Sequence, residues 1–109
     1  MENKRYCLLL DLKNDEQLME EYEKYHREVW PEVRESIESS GIEKLEIYRW
    51  NDRLVMILEV NESFSFERKA IMDERNQKVQ EWEKLMWKFQ KPLPNTKPGE
   101  KWQLMDRIF

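Results

Sequence analysis

The sequence contains very few of the residues that build disulfides and metal sites. Cys7 is the one cysteine and His26 the one histidine among 109 residues. A single cysteine excludes an internal disulfide, and zinc sites in proteins normally take several Cys and His ligands. A zinc site made by this chain alone is therefore not expected.

Long apolar segments are missing as well. The N-terminus begins with charged residues and has no apolar stretch of the kind found in secretory signal peptides. No apolar run approaches the roughly 20 residues that a membrane helix needs. We predict a cytoplasmic protein that has no membrane partner.

Basic clusters are limited to short pairs such as Lys4-Arg5 and Arg68-Lys69. The formal net charge is −4 and the isoelectric point is about 5.2. Proteins that bind nucleic acid usually carry a basic face and a high isoelectric point. Nucleic acid is therefore not expected as a partner.

Aromatic residues, in contrast, are plentiful. They make up 12% of the chain, which argues against disorder because disordered chains are poor in aromatics. A chain of 109 residues is long enough for one domain, and we expect residues 1–109 to form it. A domain of this size has only a modest surplus of stability, so dimerisation would help it.

The spacing of apolar residues predicts alternating strands and helices. Asn14-Asp15 predicts a helix N-cap, with Gln17 at a capping-box spacing from Asn14, and Gly41 predicts a left-handed helix end. The expected order is a strand over 4–12, a helix kinked near Pro31, strands over 43–50 and 53–60, helices over 64–74 and 76–90, and a strand over 101–108. Residues Val79, Trp82, Met86 and Phe89 form one apolar stripe.

This βαββαβ order is typical of an α+β, ferredoxin-like domain, in which helices cover one face of an antiparallel sheet. The first, third and fourth predicted strands are apolar on both sides. The face without helices therefore needs a cover, and a second copy of the chain is the simplest one. We expect a homodimer of the α-β barrel type.

His26 is the natural candidate for proton transfer, because its ordinary pKa lies near neutral pH. At about 100° per residue, Tyr22, His26 and Trp30 follow one another along a single helix ridge beside the apolar stripe. On spacing alone, a half-buried structural histidine is the commoner arrangement. The functional alternative is a general acid/base between two aromatic groups.

The segment Glu21-Tyr22, His26, Trp30-Pro31-Glu32 resembles the E-Y-x-x-x-H-x-x-x-W-P-E signature of L-rhamnose mutarotases. The resemblance extends over nearly the whole chain. The opening Lys-Arg-Tyr-Cys and the closing Trp102-Gln103-Leu104-Met105 resemble the branch of that family linked to L-fucose.

The resemblance implies an isomerase that interconverts the α and β anomers of a 6-deoxy-L-hexose, either L-rhamnose or L-fucose. It further implies a dimeric ferredoxin-like subunit that uses no metal or other cofactor. His26 matches the family's catalytic histidine and proton donor, and Tyr22 a tyrosine that holds the sugar. Trp82 matches the first of two adjacent tryptophans that line the site.

Two positions depart from the family pattern. Glu83 stands where the second tryptophan is expected, and Leu45 replaces a substrate-binding tyrosine. Both changes affect the wall that contacts the sugar and leave the His26–Tyr22 pair intact. Trp87, one helical turn after Glu83, is a hypothetical substitute for the lost aromatic surface. The second acid/base group stays open between Tyr22, a carboxylate such as Glu83, and a backbone carbonyl with water.

Other functions compete with this prediction. Small dimeric α-β barrels include cofactor-independent monooxygenases, whose site would be a dry apolar pocket. A metabolite-binding module without catalysis is a second alternative. An RNA-binding domain is the weakest, since it would present exposed aromatics beside basic residues.

Overall fold

Residues 3–109 are described by a computed structural model of the protein. Along them the elements follow in the order β1 (Lys4–Leu12), α1 (Glu16–Arg27), α2 (Pro31–Ser39), β2 (Ile42–Trp50), β3 (Arg53–Val60), α3 (Phe66–Glu74), α4 (Gln77–Trp87), β4 (Gln90–Lys91) and β5 (Gln103–Leu104). No helix among these residues is long and apolar enough to cross a membrane.

The sheet is antiparallel, with strand order β2-β3-β1-β4 and with β5 also paired to β1. This order and the placement of the helices confirm the predicted ferredoxin-like fold. β2 and β3 form the predicted hairpin, whose turn contains Asn51 at φ 51°.

The fourth strand of the fold consists of two short pieces along one edge of β1. β4 pairs with Asp11 and Leu12, and β5 pairs with Leu8 and Leu9. Between them runs a loop over 92–102 that contains three prolines, which cannot donate to a strand ladder. The prediction of one strand over 101–108 was therefore wrong: β5 covers only Gln103–Leu104.

The predicted interruption near Pro31 is a complete break between two helices. α1 ends at Arg27, and Pro31 is the first residue of α2, where its missing N–H costs no helical hydrogen bond. Within the predicted N-cap pair Asn14-Asp15, the N-cap is Asp15, whose carboxylate accepts from the Leu18 N–H at 3.1 Å. The capping-box spacing from Asn14 to Gln17 is therefore offset from the cap by one residue.

The core lies between the helices and the sheet. The predicted stripe is buried in full, from Val79, Trp82 and Met86 on α4 to Phe89 just beyond the helix, which is 1% exposed. Two clusters of buried residues can be distinguished. One surrounds Tyr22, Trp82 and Phe89, and the other surrounds Leu8, Ile42 and Leu58.

The opposite face of the sheet carries apolar side chains that the helices do not cover. β1 contributes Cys7 and Leu9, and their partners on β3 are Ile57 and Val55. All four are half-buried within one chain. We call these four residues the outer face. Trp50, at the end of β2, is 77% exposed.

Candidate active site

A cavity of about 350 Å³ lies between the two core clusters, enclosed by the helices on one side and by the sheet on the other. Its wall is mainly apolar. The polar or ionisable side chains that line it are Tyr22, His26, Lys69, Asp73, Glu83 and Gln90. Lys69 and Asp73 form an ion pair with each other at 2.6 Å. The other four side chains are therefore the candidates for catalysis or for binding a ligand.

His26 enters the cavity from the last turn of α1. Its Nδ1 lies 2.8 Å from the backbone carbonyl oxygen of Tyr22, one helical turn earlier. Because that oxygen can only accept, Nδ1 carries the proton. In the neutral ring, Nε2 is therefore the nitrogen that can take up a proton.

Burial lowers the pKa of His26 below its ordinary value of 6.5. The hydrogen bond from Nδ1 to the Tyr22 carbonyl acts in the opposite direction and offsets part of this shift. The imidazole is thus neutral at physiological pH, ready to act as a base through Nε2.

Aromatic rings surround His26. The Tyr22 ring centroid lies 4.3 Å from that of His26, and the Trp82 centroid lies 5.6 Å away on another side. Trp30 packs against Trp82 at 5.2 Å and is outside the cavity lining. The structure thus brings His26, Tyr22 and Trp82 together, while Trp30 packs against Trp82 outside the cavity lining.

Tyr22 holds its proton tightly. Burial raises the pKa of its hydroxyl from 10.0 to about 12; a hydrogen bond from Gln90 lowers it somewhat, and the charge of Glu83 raises it. The Gln90 Nε2 lies 3.4 Å from the Tyr22 oxygen. Because that oxygen accepts from Gln90, the tyrosine's own O–H is available as a donor.

Glu83 lines the cavity and is bonded to the loop over 92–102. Lys101 Nζ lies 2.6 Å from the carboxylate of Glu83 and 3.0 Å from its carbonyl oxygen. The same ammonium group lies 4.7 Å from the ring centroid of Trp87. The side chain of Lys101 is only 13% exposed, so this is a partly buried contact.

The hypothesis that Trp87 replaces the missing aromatic wall was wrong, because Trp87 lies outside the lining and packs on Lys101. Trp102 lines the cavity instead. Sequence reasoning also missed Gln90. Gln90 lies in β4, and Trp102 lies directly before β5. The sequence pattern did not predict how these two short strands pair with β1.

Leu45 forms part of the apolar wall together with Ile47, Val33 and Ile37. This wall belongs to β2 and α2. Among residues 3–109, no group of three or more His, Cys, Asp or Glu side chains is arranged to hold a metal ion.

Comparison with known proteins gives one consistent result. The family model for L-rhamnose mutarotase matches residues 5–109. An L-fucose mutarotase from Xanthomonas campestris is 49% identical over 111 aligned positions, which cover 100% of this chain and 89% of the relative.

Two solved structures share the fold. An L-rhamnose mutarotase from Formosa agariphila superimposes with a TM-score of 0.72 at 17% identity, covering 97% of this chain and 96% of its own. A dimeric ferredoxin-like protein from an uncultured marine organism gives a TM-score of 0.56 at 16% identity, covering 100% of this chain and 92% of its own.

Proposed function

Because the chain belongs to the L-rhamnose mutarotase family, and is thus an isomerase acting on sugar anomers, we propose that its preferred substrate is L-fucose. The choice of L-fucose is supported by the 49% identity to an L-fucose mutarotase along the entire chain. The observation that carries the catalytic mechanism is the His26–Tyr22 pair, which places a base and a hydroxyl donor side by side in the cavity.

Anomer exchange requires only proton transfers around a ring that opens and closes. In the opening step, Nε2 of neutral His26 takes the proton of the anomeric hydroxyl as the bond between C1 and the ring oxygen breaks. The Tyr22 hydroxyl gives its proton to that ring oxygen. The open aldehyde then rotates about C1–C2.

Closure repeats these transfers in reverse on the other face of the carbonyl. The former ring oxygen attacks C1 and returns its proton to Tyr22, while the His26 imidazolium protonates the carbonyl oxygen. His26 is thus the proton donor of the closing half, in keeping with the role that the family resemblance implies. Both residues end in their starting protonation states.

Tyr22 is the best candidate for the second acid/base group. Burial raises the pKa of its hydroxyl to about 12, so Tyr22 is protonated at neutral pH and can donate to the ring oxygen as the bond to C1 breaks. Glu83 is less suitable because its carboxylate is paired with Lys101. Trp82 and Trp102 offer flat apolar faces for the C–H side of the sugar ring.

The outer face supports a homodimer as part of this proposal. Half-buried apolar residues at the centre of an uncovered sheet favour a second copy as the cover. A protein of similar fold is itself dimeric. The cytoplasmic location and the extent of the domain over residues 1–109 stay predictions.

The deciding experiment measures anomer exchange by NMR saturation transfer with L-fucose and, separately, with L-rhamnose. We expect His26→Ala to lose most of the acceleration, at least about 100-fold, because general acid/base groups contribute about 10²–10⁴. Tyr22→Phe should lower the rate while it keeps the ring contacts. Arg27→Ala, an exposed neighbour on α1, serves as the matched control.

Circular dichroism should show that the variants keep their fold. A folded His26→Ala protein with undiminished exchange would refute the assignment of the base. Acceleration of L-rhamnose alone would refute the choice of L-fucose. If neither sugar responds, oxygen uptake would test for the monooxygenase alternative, and sugar binding without exchange would indicate a module that has no catalytic role.

A further inference from the structure

Gln90 occupies a strand position where an apolar residue is expected. It opposes Leu12 in the pairing of β1 with β4, and Leu12 is buried on the face covered by helices. Directly opposed side chains point to the same side of a sheet. Gln90 therefore extends into the space between sheet and helices, where it is only 4% exposed and lines the cavity.

The two ends of the Gln90 amide differ in their contacts. Nε2 lies 3.4 Å from the Tyr22 hydroxyl oxygen. Oε1 is the only buried side-chain nitrogen or oxygen within residues 3–109 that has no hydrogen-bond partner. A buried acceptor of this kind normally reduces stability, and most folded proteins avoid it. Turning the amide over exchanges the two atoms and leaves the other one without a partner.

We propose, on the basis of the proposed function, that Gln90 is a specificity-determining residue whose side-chain oxygen accepts a hydrogen bond from a ring hydroxyl of the bound sugar. Its amide nitrogen meanwhile orients the Tyr22 hydroxyl toward the reacting centre. One residue thus links recognition of the sugar to the proton donor.

The position of the amide limits which hydroxyl it can reach. Because Nε2 contacts the Tyr22 hydroxyl, the oxygen of the same amide would meet a hydroxyl on the part of the sugar that lies beside Tyr22. L-Fucose and L-rhamnose differ only in the orientation of the hydroxyls at C2 and C4. An acceptor held in one place can receive a hydrogen bond from a hydroxyl in one orientation and not from its epimer. Gln90 would therefore discriminate between the two sugars.

The experiment compares kcat/KM for L-fucose and L-rhamnose in wild-type protein, in Gln90→Leu and in Gln90→Met, together with the melting temperature. Gln17→Leu, at an exposed site on α1, is the control for exchanging glutamine with an apolar residue. We expect KM for the preferred sugar to rise about 10-fold, which corresponds to one hydrogen bond, and the ratio between the sugars to shrink.

The melting temperature provides a second readout. Removing the amide deletes an unsatisfied acceptor and also the 3.4 Å hydrogen bond to Tyr22, two opposing effects on stability, so the melting temperature should change little. An unchanged ratio between the sugars would overturn the proposal, and a fall in melting temperature alongside it would assign the amide a structural role. Gln90→Met preserves side-chain length in case Gln90→Leu fails to fold.

Failure of the proposed function can be told apart from failure of this inference. If wild-type protein accelerates neither sugar, the mutarotase proposal for these substrates fails. The affinities for the two sugars, measured by calorimetry, then replace kcat/KM. A ratio of affinities that Gln90→Leu changes would support the role of Gln90, and an unchanged ratio would overturn it.

Discussion

At the scale of single residues, the protonation of His26 follows from its place on α1. A histidine in the last turn of a helix can reach the carbonyl four residues earlier, and this contact determines which nitrogen stays free. Burial then keeps the ring neutral. In the proposed mechanism, the nearby Tyr22, which retains its proton, takes the opposite role of donor.

The lowered pKa of His26 predicts the pH dependence of the reaction. Only the neutral imidazole can take the anomeric proton, so the rate should fall as the pH drops through the pKa of the folded protein. Because burial places that pKa below 6.5, the catalysed rate should persist at pH 6.5 and decline only at lower pH. Saturation transfer at a series of pH values, corrected for the uncatalysed exchange, measures this limb.

His26→Ala is the control for this profile and should lack the acidic limb. A midpoint above 6.5 in the wild-type protein would contradict the neutral, buried histidine.

At the scale of elements, the two breaks in the helical layer position the site. The break before Pro31 ends α1 just after His26 and places Trp30 against Trp82. The end of α4 at Trp87 lets the chain turn so that Gln90 joins the sheet beside Leu12. Local sequence predicted the first break because proline is its cause. It missed the second turn, since the periodic pattern continued through Phe89.

The end of α2 depends on a glycine. Gly41 has φ +102°, and a Cβ there would lie 2.7 Å from Asn61 Oδ1 and 2.9 Å from the Phe64 nitrogen. Gly41→Ala should therefore lower the free energy of unfolding by about 2 kcal/mol or more, from backbone strain combined with crowding. Chemical denaturation followed by circular dichroism measures the loss.

Gly99→Ala is a matched control. Gly99 also has a positive φ, of +86°, but a Cβ there would meet nothing within 4 Å. Gly99→Ala should lower the free energy of unfolding by about 1 kcal/mol, because only the backbone conformation is strained. Equal losses in the two variants would show that crowding at Gly41 contributes nothing.

At the scale of the whole molecule, the sheet separates the cavity from the face proposed to bind a second subunit. Its covered face and the helices enclose the cavity. Its outer face is available for a second subunit, with apolar side chains at its centre and the exposed Trp50 at one end. Dimerisation through this face would leave the cavity of each subunit on the opposite side of the sheet from the interface.

A charge on the outer face should therefore prevent assembly. Ile57→Lys would place an ammonium group between Cys7 and Glu46 in the pairing register, at the centre of the proposed interface. We expect the variant to sediment as a monomer in analytical ultracentrifugation while the wild-type protein sediments as a dimer.

Ile71→Lys, on α3 and already 45% exposed, provides the comparison for adding the same charge to the helical layer. It should sediment like the wild-type protein. A wild-type monomer, or an Ile57→Lys protein that remains dimeric, would exclude this face as the interface.

The sequence by itself determined the features that depend on neighbours along the chain. Periods of 3.6 and 2 residues set the helices, the strands and the faces they bury. The four-residue spacing of Tyr22 and His26 was enough to place them side by side, since helical geometry requires it. The fold and the family could be predicted from these local patterns together with the signature around His26.

Only the tertiary structure decided which distant residues complete the cavity. The contact between Gln90 and Tyr22 joins residues 68 positions apart, and Lys101 reaches Glu83 across 18. Both contacts depend on where the interrupted edge of the sheet pairs with β1. That register results from the packing of the whole domain, because pieces of two residues carry too little periodicity to specify it.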